Sequence, residues 1–154
     1  MSLLEINSIS QHIIKWRKKN VNIVFTNGCF DLLHKGHLDL LSEASKYGDI
    51  LIVGLNSDSS VRKIKGKGRP IENEKIRSEI LLKLKYVNHV IIFDSETPEK
   101  LINTIMPNVL VKGGDYNEST VIGAKEVISN GGRVKIIPLT EGYSTSSIIK
   151  LQKR

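Results

Sequence analysis

A single cysteine, Cys29, three Phe, four Tyr, one Trp and four prolines are all that this 154-residue chain holds of those residue types. One cysteine excludes an intramolecular disulfide and any cysteine-built zinc site. The few aromatic rings offer little to stack on bases, which argues against a nucleic-acid binder. No apolar run approaches the roughly 20 residues that a membrane span requires. Met1-Ser2-Leu3-Leu4-Glu5 has neither the basic start nor the apolar stretch of a secretory leader, so the cytoplasm is the expected location. There is no repeat, low-complexity tract or interdomain linker, and 40% hydrophobic content in this length suits one core. The pattern G-x-x-x-x-G-K-[ST] is missing, which leaves a P-loop ATPase unsupported. So is G-x-G-x-x-G in the first turn, which argues against a dinucleotide dehydrogenase.

What is abundant is positive charge. Lys and Arg number 23 against 16 Asp and Glu, a net charge of +7 that points to a polyanionic partner: nucleic acid, a membrane surface or a phosphate-bearing small molecule. The excess is concentrated in two places. Lys15, Arg17, Lys18 and Lys19 form one group, and Arg62, Lys63, Lys65, Lys67 and Arg69 the other; without them the chain would be close to neutral. From Ser59 to Ile71 there is no acidic residue, and Gly66 and Gly68 interrupt the cations before Pro70. The expectation is a mobile basic loop, with a plain solvated loop as the alternative.

Short β-branched runs alternate with stretches of helical period along almost the whole chain. Strands are predicted at Asn22 to Thr26, Ile50 to Leu55, Val90 to Phe93, Asn108 to Val111 and Arg133 to Ile137. Helices are predicted near 35–47, 72–86, 98–106 and 119–130, with an amphipathic lead-in over 8–19 and a closing helix from Ser144 to Gln152. Apolar strands separated by helices specify an α/β fold: a Rossmann-like, doubly wound, five-stranded parallel sheet with helices on both faces.

The first predicted strand runs into Asn27-Gly28-Cys29-Phe30-Asp31-Leu32-Leu33-His34-Lys35-Gly36-His37. In such sheets ligands bind beyond the carboxyl ends of strands, and a turn feeding a helix there aims N–H groups at an anion. His34 and His37, three residues apart, can project from one face of a helix start, and Gly36 lets a phosphate approach the backbone. Each histidine alone is more often structural; together with Gly28 and Gly36 after the first strand they point to phosphate chemistry. An H-x-x-H pair supplies at most two zinc ligands and no H-E-x-x-H occurs, so a zinc site is not expected.

These residues resemble the H-x-G-H signature of the cytidylyltransferase-like nucleotidyltransferases. Three further segments match in order: Asn56-Ser57-Asp58, Lys112-Gly113-Gly114-Asp115-Tyr116 and Glu141-Gly142-Tyr143-Ser144-Thr145-Ser146. The resemblance covers about residues 20–152, which divides the chain into a lead-in helix, 1–20, and a nucleotidyltransferase domain, 21–154. Thr26-Asn27-Gly28-Cys29-Phe30-Asp31, Lys65-Gly66-Lys67-Gly68-Arg69-Pro70-Ile71 and Val111-Lys112-Gly113-Gly114-Asp115-Tyr116 are most similar to the branch that adenylylates D-glycero-β-D-manno-heptose 1-phosphate. A cytidylyltransferase acting on glycerol 3-phosphate or a related alcohol phosphate is the alternative. Leu139 and Gly113-Gly114-Asp115-Tyr116 depart from that pattern.

The resemblance implies ATP and a sugar 1-phosphate as substrates, Mg²⁺ accompanying the ATP, no protein metal ligand beyond a water-mediated role for Asp31, and pairing into a homodimer. It implies catalytic roles for His34, His37, Lys65 and Arg77. It places the nucleotide against Asn27, Gly28, Cys29, Phe30, Gly36, Lys63, Lys112, Asp115, Ser144, Thr145 and Ser146. Plain alternatives stand beside several of these: core packing for Phe30, a surface ion pair with Glu74 or Asn73 for Arg77, and helix capping for one of the three hydroxyls.

Overall fold

The computed structural model describes residues 2–114 and 116–138. Their elements, in chain order, are β1 (Ser2–Leu4), a 3-10 turn, α1 (Ile9–Lys18), β2 (Ile23–Gly28), α2 (Lys35–Ser45), β3 (Ile50–Asn56), α3 (Asp58–Lys65), α4 (Glu74–Leu82), β4 (His89–Phe93), α5 (Glu99–Ile105), β5 (Val109–Gly113), a second 3-10 turn, α6 (Ala124–Ser129) and β6 (Arg133–Ile137). The predicted helix over Ser144 to Gln152 lies outside the described residues.

The sheet is wholly parallel, in the order β1-β4-β3-β2-β5-β6. It has six strands rather than the expected five. The additional strand, β1, pairs with β4 through Ser2 opposite His89, so the first residues are the sheet's edge and not only a lead-in. Because side chains alternate across a strand, Ile23 and Phe25 of β2 enter one core with Ile9, Leu101, Ile102, Ile105 and Val127, while Val24 enters the other with Leu41, Ala44 and Leu81. Helices α1, α5 and α6 therefore cover one face, and α2 and α4 the other.

The basic stretch is the second difference. Its first part, Asp58–Lys65, is helix α3, and the loop is confined to the residues between Lys65 and α4. Ser57 caps the helix by accepting the Ser60 N–H, Asp58 sits in its first turn, and Arg62, Lys63 and Lys65 sit in its last, an arrangement that complements the helix dipole. It ends at Gly66, whose φ of 95° is open only to glycine without strain.

Doubly wound sheets turn back on themselves between two strands, here β2 and β5. Those two pair only at Val24 with Val109 and Phe25 with Leu110, whereas β2 stays paired with β3 as far as Gly28 opposite Leu55. The carboxyl ends of β2 and β5 thus part and leave a crevice between Asn27-Gly28 and Lys112-Gly113. At the amino end the same strands are held firmly. Asn108 Oδ1 accepts from Ile23 N at 2.8 Å and from Arg17 Nη1 at 2.6 Å, and Asn108 N donates to Ile23 O at 2.9 Å. Arg17 also donates to the Ile105 and Met106 carbonyls at the end of α5, which assigns one cation of the leading helix to a structural task.

Candidate active site

The H-x-G-H spacing is the spacing of a capping box. His34 is the N-cap of α2, and its Nδ1 accepts the Gly36 N–H at 3.1 Å. His37, three residues on, returns the arrangement: its Nδ1 accepts the His34 N–H at 3.2 Å. The two rings stack with centroids 3.8 Å apart. Since each Nδ1 is an acceptor, the proton of each neutral ring resides on Nε2, which makes both rings N–H donors of fixed tautomer. Burial, with the neighbouring His34 ring, pushes His37 down to about 4 despite the opposing carboxylate of Asp31; burial also lowers His34. His37 is therefore neutral at pH 7 and burial favours the neutral form of His34 too, so the pair at the positive end of α2 carries dipolar N–H groups.

The turn that delivers His34 is strained. Phe30 and Leu32 have φ of 47° and 52°, a left-handed region costing bulky residues on the order of 1–2 kcal/mol each. Phe30 is buried in the core beside α2, and its ring lies 5.3 Å from that of His37, so it packs and supports the histidine at once. Gly28 lets the ring lie close: a Cβ there would meet the Phe30 ring at 3.0 Å.

Asp31 is 1% exposed and holds the segment after α3. Its Oδ2 accepts from Arg69 Nε at 3.1 Å and Ile71 N at 2.8 Å, and its Oδ1 from Glu72 N at 3.0 Å. A carboxylate so engaged is a structural acceptor that fastens the loop after α3 to the turn. No group of three or more His, Cys, Asp or Glu among the described residues could hold a metal ion.

Arg77 also differs from expectation. It is neither a surface ion pair nor an exposed phosphate contact, but one of the largest fully buried side chains. Nε donates to Glu72 O at 2.9 Å, Nη1 to Cys29 O and Asn56 O at 2.8 Å each, and Nη2 to Asp58 Oδ1 at 2.7 Å. The guanidinium fork ties together the ends of β2 and β3, the start of α3 and the segment before α4.

The remaining expected residues divide by position. Asn27 and Lys112 line one cavity of about 110 Å³ across the crevice, together with Pro98, Tyr116, Thr120, Val121 and Ile122. Lys112 reaches over the Tyr116 ring at 5.4 Å, and burial, with Lys65 nearby, lowers its pKa. Arg69, bonded to Asp31, brings the loop after α3 to the turn, and the positive charges of Lys65, Arg77 and Arg69 act to lower the Cys29 thiol. Burial is nonetheless the larger influence and raises the Cys29 thiol. Gly36 spends its N–H on His34, and Lys63 is exposed on α3. Asp115, Ser144, Thr145 and Ser146 lie outside the described residues. Sequence reasoning missed Glu72, whose Oε1 accepts Leu32 N at 3.0 Å; the one signal was an acid immediately after a long acid-free stretch.

A crevice at the switch point of a doubly wound sheet, with two imidazoles capping the helix that follows β2, defines an α/β domain suited to an anionic ligand. The chain belongs to the cytidylyltransferase-like family, whose sequence model matches residues 25–151. It is 51% identical over 142 residues to the bifunctional protein HldE of Nitrobacter winogradskyi, which covers 92% of this chain and 29% of that protein. It is 52% identical over 138 residues to the protein of the same name from Koribacter versatilis, covering 90% and 28%. The chain thus spans less than a third of the length of these relatives. Among solved structures it is similar to the lipopolysaccharide core biosynthesis protein of Thermoplasma volcanium, with a TM-score of 0.64 and 28% identity over 80% of this chain and 99% of the other. A pantoate-beta-alanine ligase from Francisella tularensis shares the fold, with a TM-score of 0.65 at 14% identity, over 99% of this chain and 77% of that one.

Proposed function

We propose that this chain transfers AMP from ATP to D-glycero-β-D-manno-heptose 1-phosphate, releasing pyrophosphate and forming ADP-heptose, in the cytoplasm and as a homodimer. The observation that carries the reading is the histidine capping box that opens α2 after the carboxyl end of β2. Its support in sequence is the set of motifs around Cys29, Arg69 and Lys112 and the half-identical relatives named HldE. The similar Thermoplasma volcanium protein, described as one of lipopolysaccharide core biosynthesis, agrees with a sugar acceptor.

In this reading an oxygen of the sugar 1-phosphate attacks the α-phosphorus of ATP as the bond to the β-phosphate breaks. The nucleophile is already ionised at neutral pH, so no general base is needed, and the protein's task is to accommodate charge gathering on the phosphates. The Nε2–H groups of His34 and His37 donate to phosphate oxygens, and Lys65 adds positive charge from the end of α3. Asn27, Lys112 and Tyr116 border the cavity suited to the nucleoside end. Mg²⁺ enters with the ATP as part of the substrate and neutralises its phosphates, held chiefly by them and by water.

The test is pyrophosphate release from ATP and Mg²⁺ with a panel of sugar 1-phosphates, both anomers of this heptose included, in competition with CTP. Release with the β-heptose phosphate and ATP is expected. No release with it, or a requirement for CTP with glycerol 3-phosphate, overturns the assignment.

A further inference from the structure

The turn Cys29–His34 takes its shape from across the fold. Leu32 N, two residues before the capping histidine, donates to the Glu72 carboxylate, while Glu72 N donates to Asp31 and Glu72 O accepts from Arg77. Glu72 thus uses its side chain, its N–H and its carbonyl on the two residues that hold the turn and on the turn itself. The turn needs such holding, because Leu32 keeps a left-handed backbone that its branched side chain disfavours. Glu72 is also the first residue after the basic loop, directly beyond Arg69, Pro70 and Ile71.

We infer that Glu72 is a positioning residue: its carboxylate fixes Leu32, and through it the His34–His37 pair, so that the cationic loop and the imidazole donors move as one unit. The two phosphate-binding arms lie on different elements, α3 with its loop and the start of α2, and the Asp31–Glu72 clasp is their shared fastening. Losing the carboxylate frees the Leu32 N–H and lets the turn relax towards ordinary dihedrals. The histidines then shift relative to the phosphates, while the loop cations remain attached through Arg69 and Asp31.

The inference rests on the nucleotidyl-transfer reading for its kinetic arm only. Glu72→Ala should lower kcat about tenfold or more while the KM for ATP moves by less than about threefold, because displacement of roughly 1 Å in a donor set costs turnover on the order of a hundredfold. Glu72→Gln keeps an acceptor oxygen at the same reach and should stay within about threefold of the parent. Glu72→Asp, one methylene short, should behave as Ala does and serves if the Ala variant does not fold. The independent arm is the imidazole nitrogen NMR spectrum of His37, which is faced by the His34 ring, the Phe30 ring and the Asp31 carboxylate. Its titration should move from about 4 towards the ordinary histidine value in Glu72→Ala and Glu72→Asp, and stay in Glu72→Gln. Unchanged histidine signals in Glu72→Ala, or a turnover loss equal to the loss of folded protein, would overturn the inference. If the parent chain turns over no sugar phosphate, the function reading fails and the NMR comparison still decides the role of Glu72.

Discussion

Replacing Arg77 by Met keeps most of the buried volume and removes the guanidinium, so it isolates the fork's hydrogen bonds. In the parent protein four acceptors converge on that group: the carbonyls of Cys29, Asn56 and Glu72, and the Asp58 carboxylate. The Asp58 side chain is 31% exposed and can regain water; the three carbonyls meet a buried thioether instead. Charge-assisted bonds contribute about 1.5–3 kcal/mol each but overlap, and breaking one partner of a buried pair costs about 3–5 kcal/mol, which is the figure to expect. For a protein of this size each kcal/mol moves Tm by about 2–4 °C, so the midpoint should fall by roughly 6–20 °C. Urea titration with a free m-value gives the loss directly, and Arg77→Lys should recover less than half of it, since an ammonium cannot span the four acceptors. A Met variant within about 1 kcal/mol of the parent that has nonetheless lost turnover would refute the structural role and return Arg77 to the phosphates.

The same geometry fixes three more outcomes. Replacing His34 or His37 by Ala should lower kcat on the order of 10² to 10³-fold, as for a lost oxyanion donor, yet cost stability only about 1 kcal/mol as a lost cap, checked by steady-state kinetics beside urea unfolding. The depressed titration of His37 means that the folded state resists its protonation. Its contribution is present above about pH 6.5 and lost as pH falls towards about 4, at most about 3 kcal/mol before solvent screening and roughly half that after it. His37→Asn should flatten the Tm profile in that window, and an equally steep profile would contradict the assignment. Gly54→Ala would set a Cβ at 2.7 Å from Phe25 Cζ in the core, for a loss of about 1–3 kcal/mol in calorimetry; a neutral result would mean that Phe25 has room to move.

The central strands and the turn after β2 were legible because their signals are local: apolar runs, helical periods, and a glycine-histidine cluster placed where parallel sheets bind ligands. β1 was not, since Ser2-Leu3-Leu4 is too short to show a period and gains its structure from pairing with β4. Helix α3 was hidden by its own charge. It buries only Ser60 and Val61, so no apolar stripe marks it, although a capping Ser57, an acid in the first turn, bases in the last and Gly66 beyond them are a complete set of end signals. The roles of Arg77 and Glu72 were illegible for another reason. Their partners are up to 48 positions away in the chain, and only the folded topology brings Cys29, Asn56 and Asp58 around one guanidinium.

The parting of β2 and β5 gives the sheet the form of a tuning fork. Its stem is clamped where Asn108 joins Ile23 and Arg17, and its prongs, ending at Gly28 and Gly113, stand apart. A ligand that reaches from one prong to the other would join two halves of the sheet that the β2–β5 ladder joins only at Val24–Val109 and Phe25–Leu110. Because only the folded sheet presents both prongs, such binding would add to the energy that keeps the protein folded.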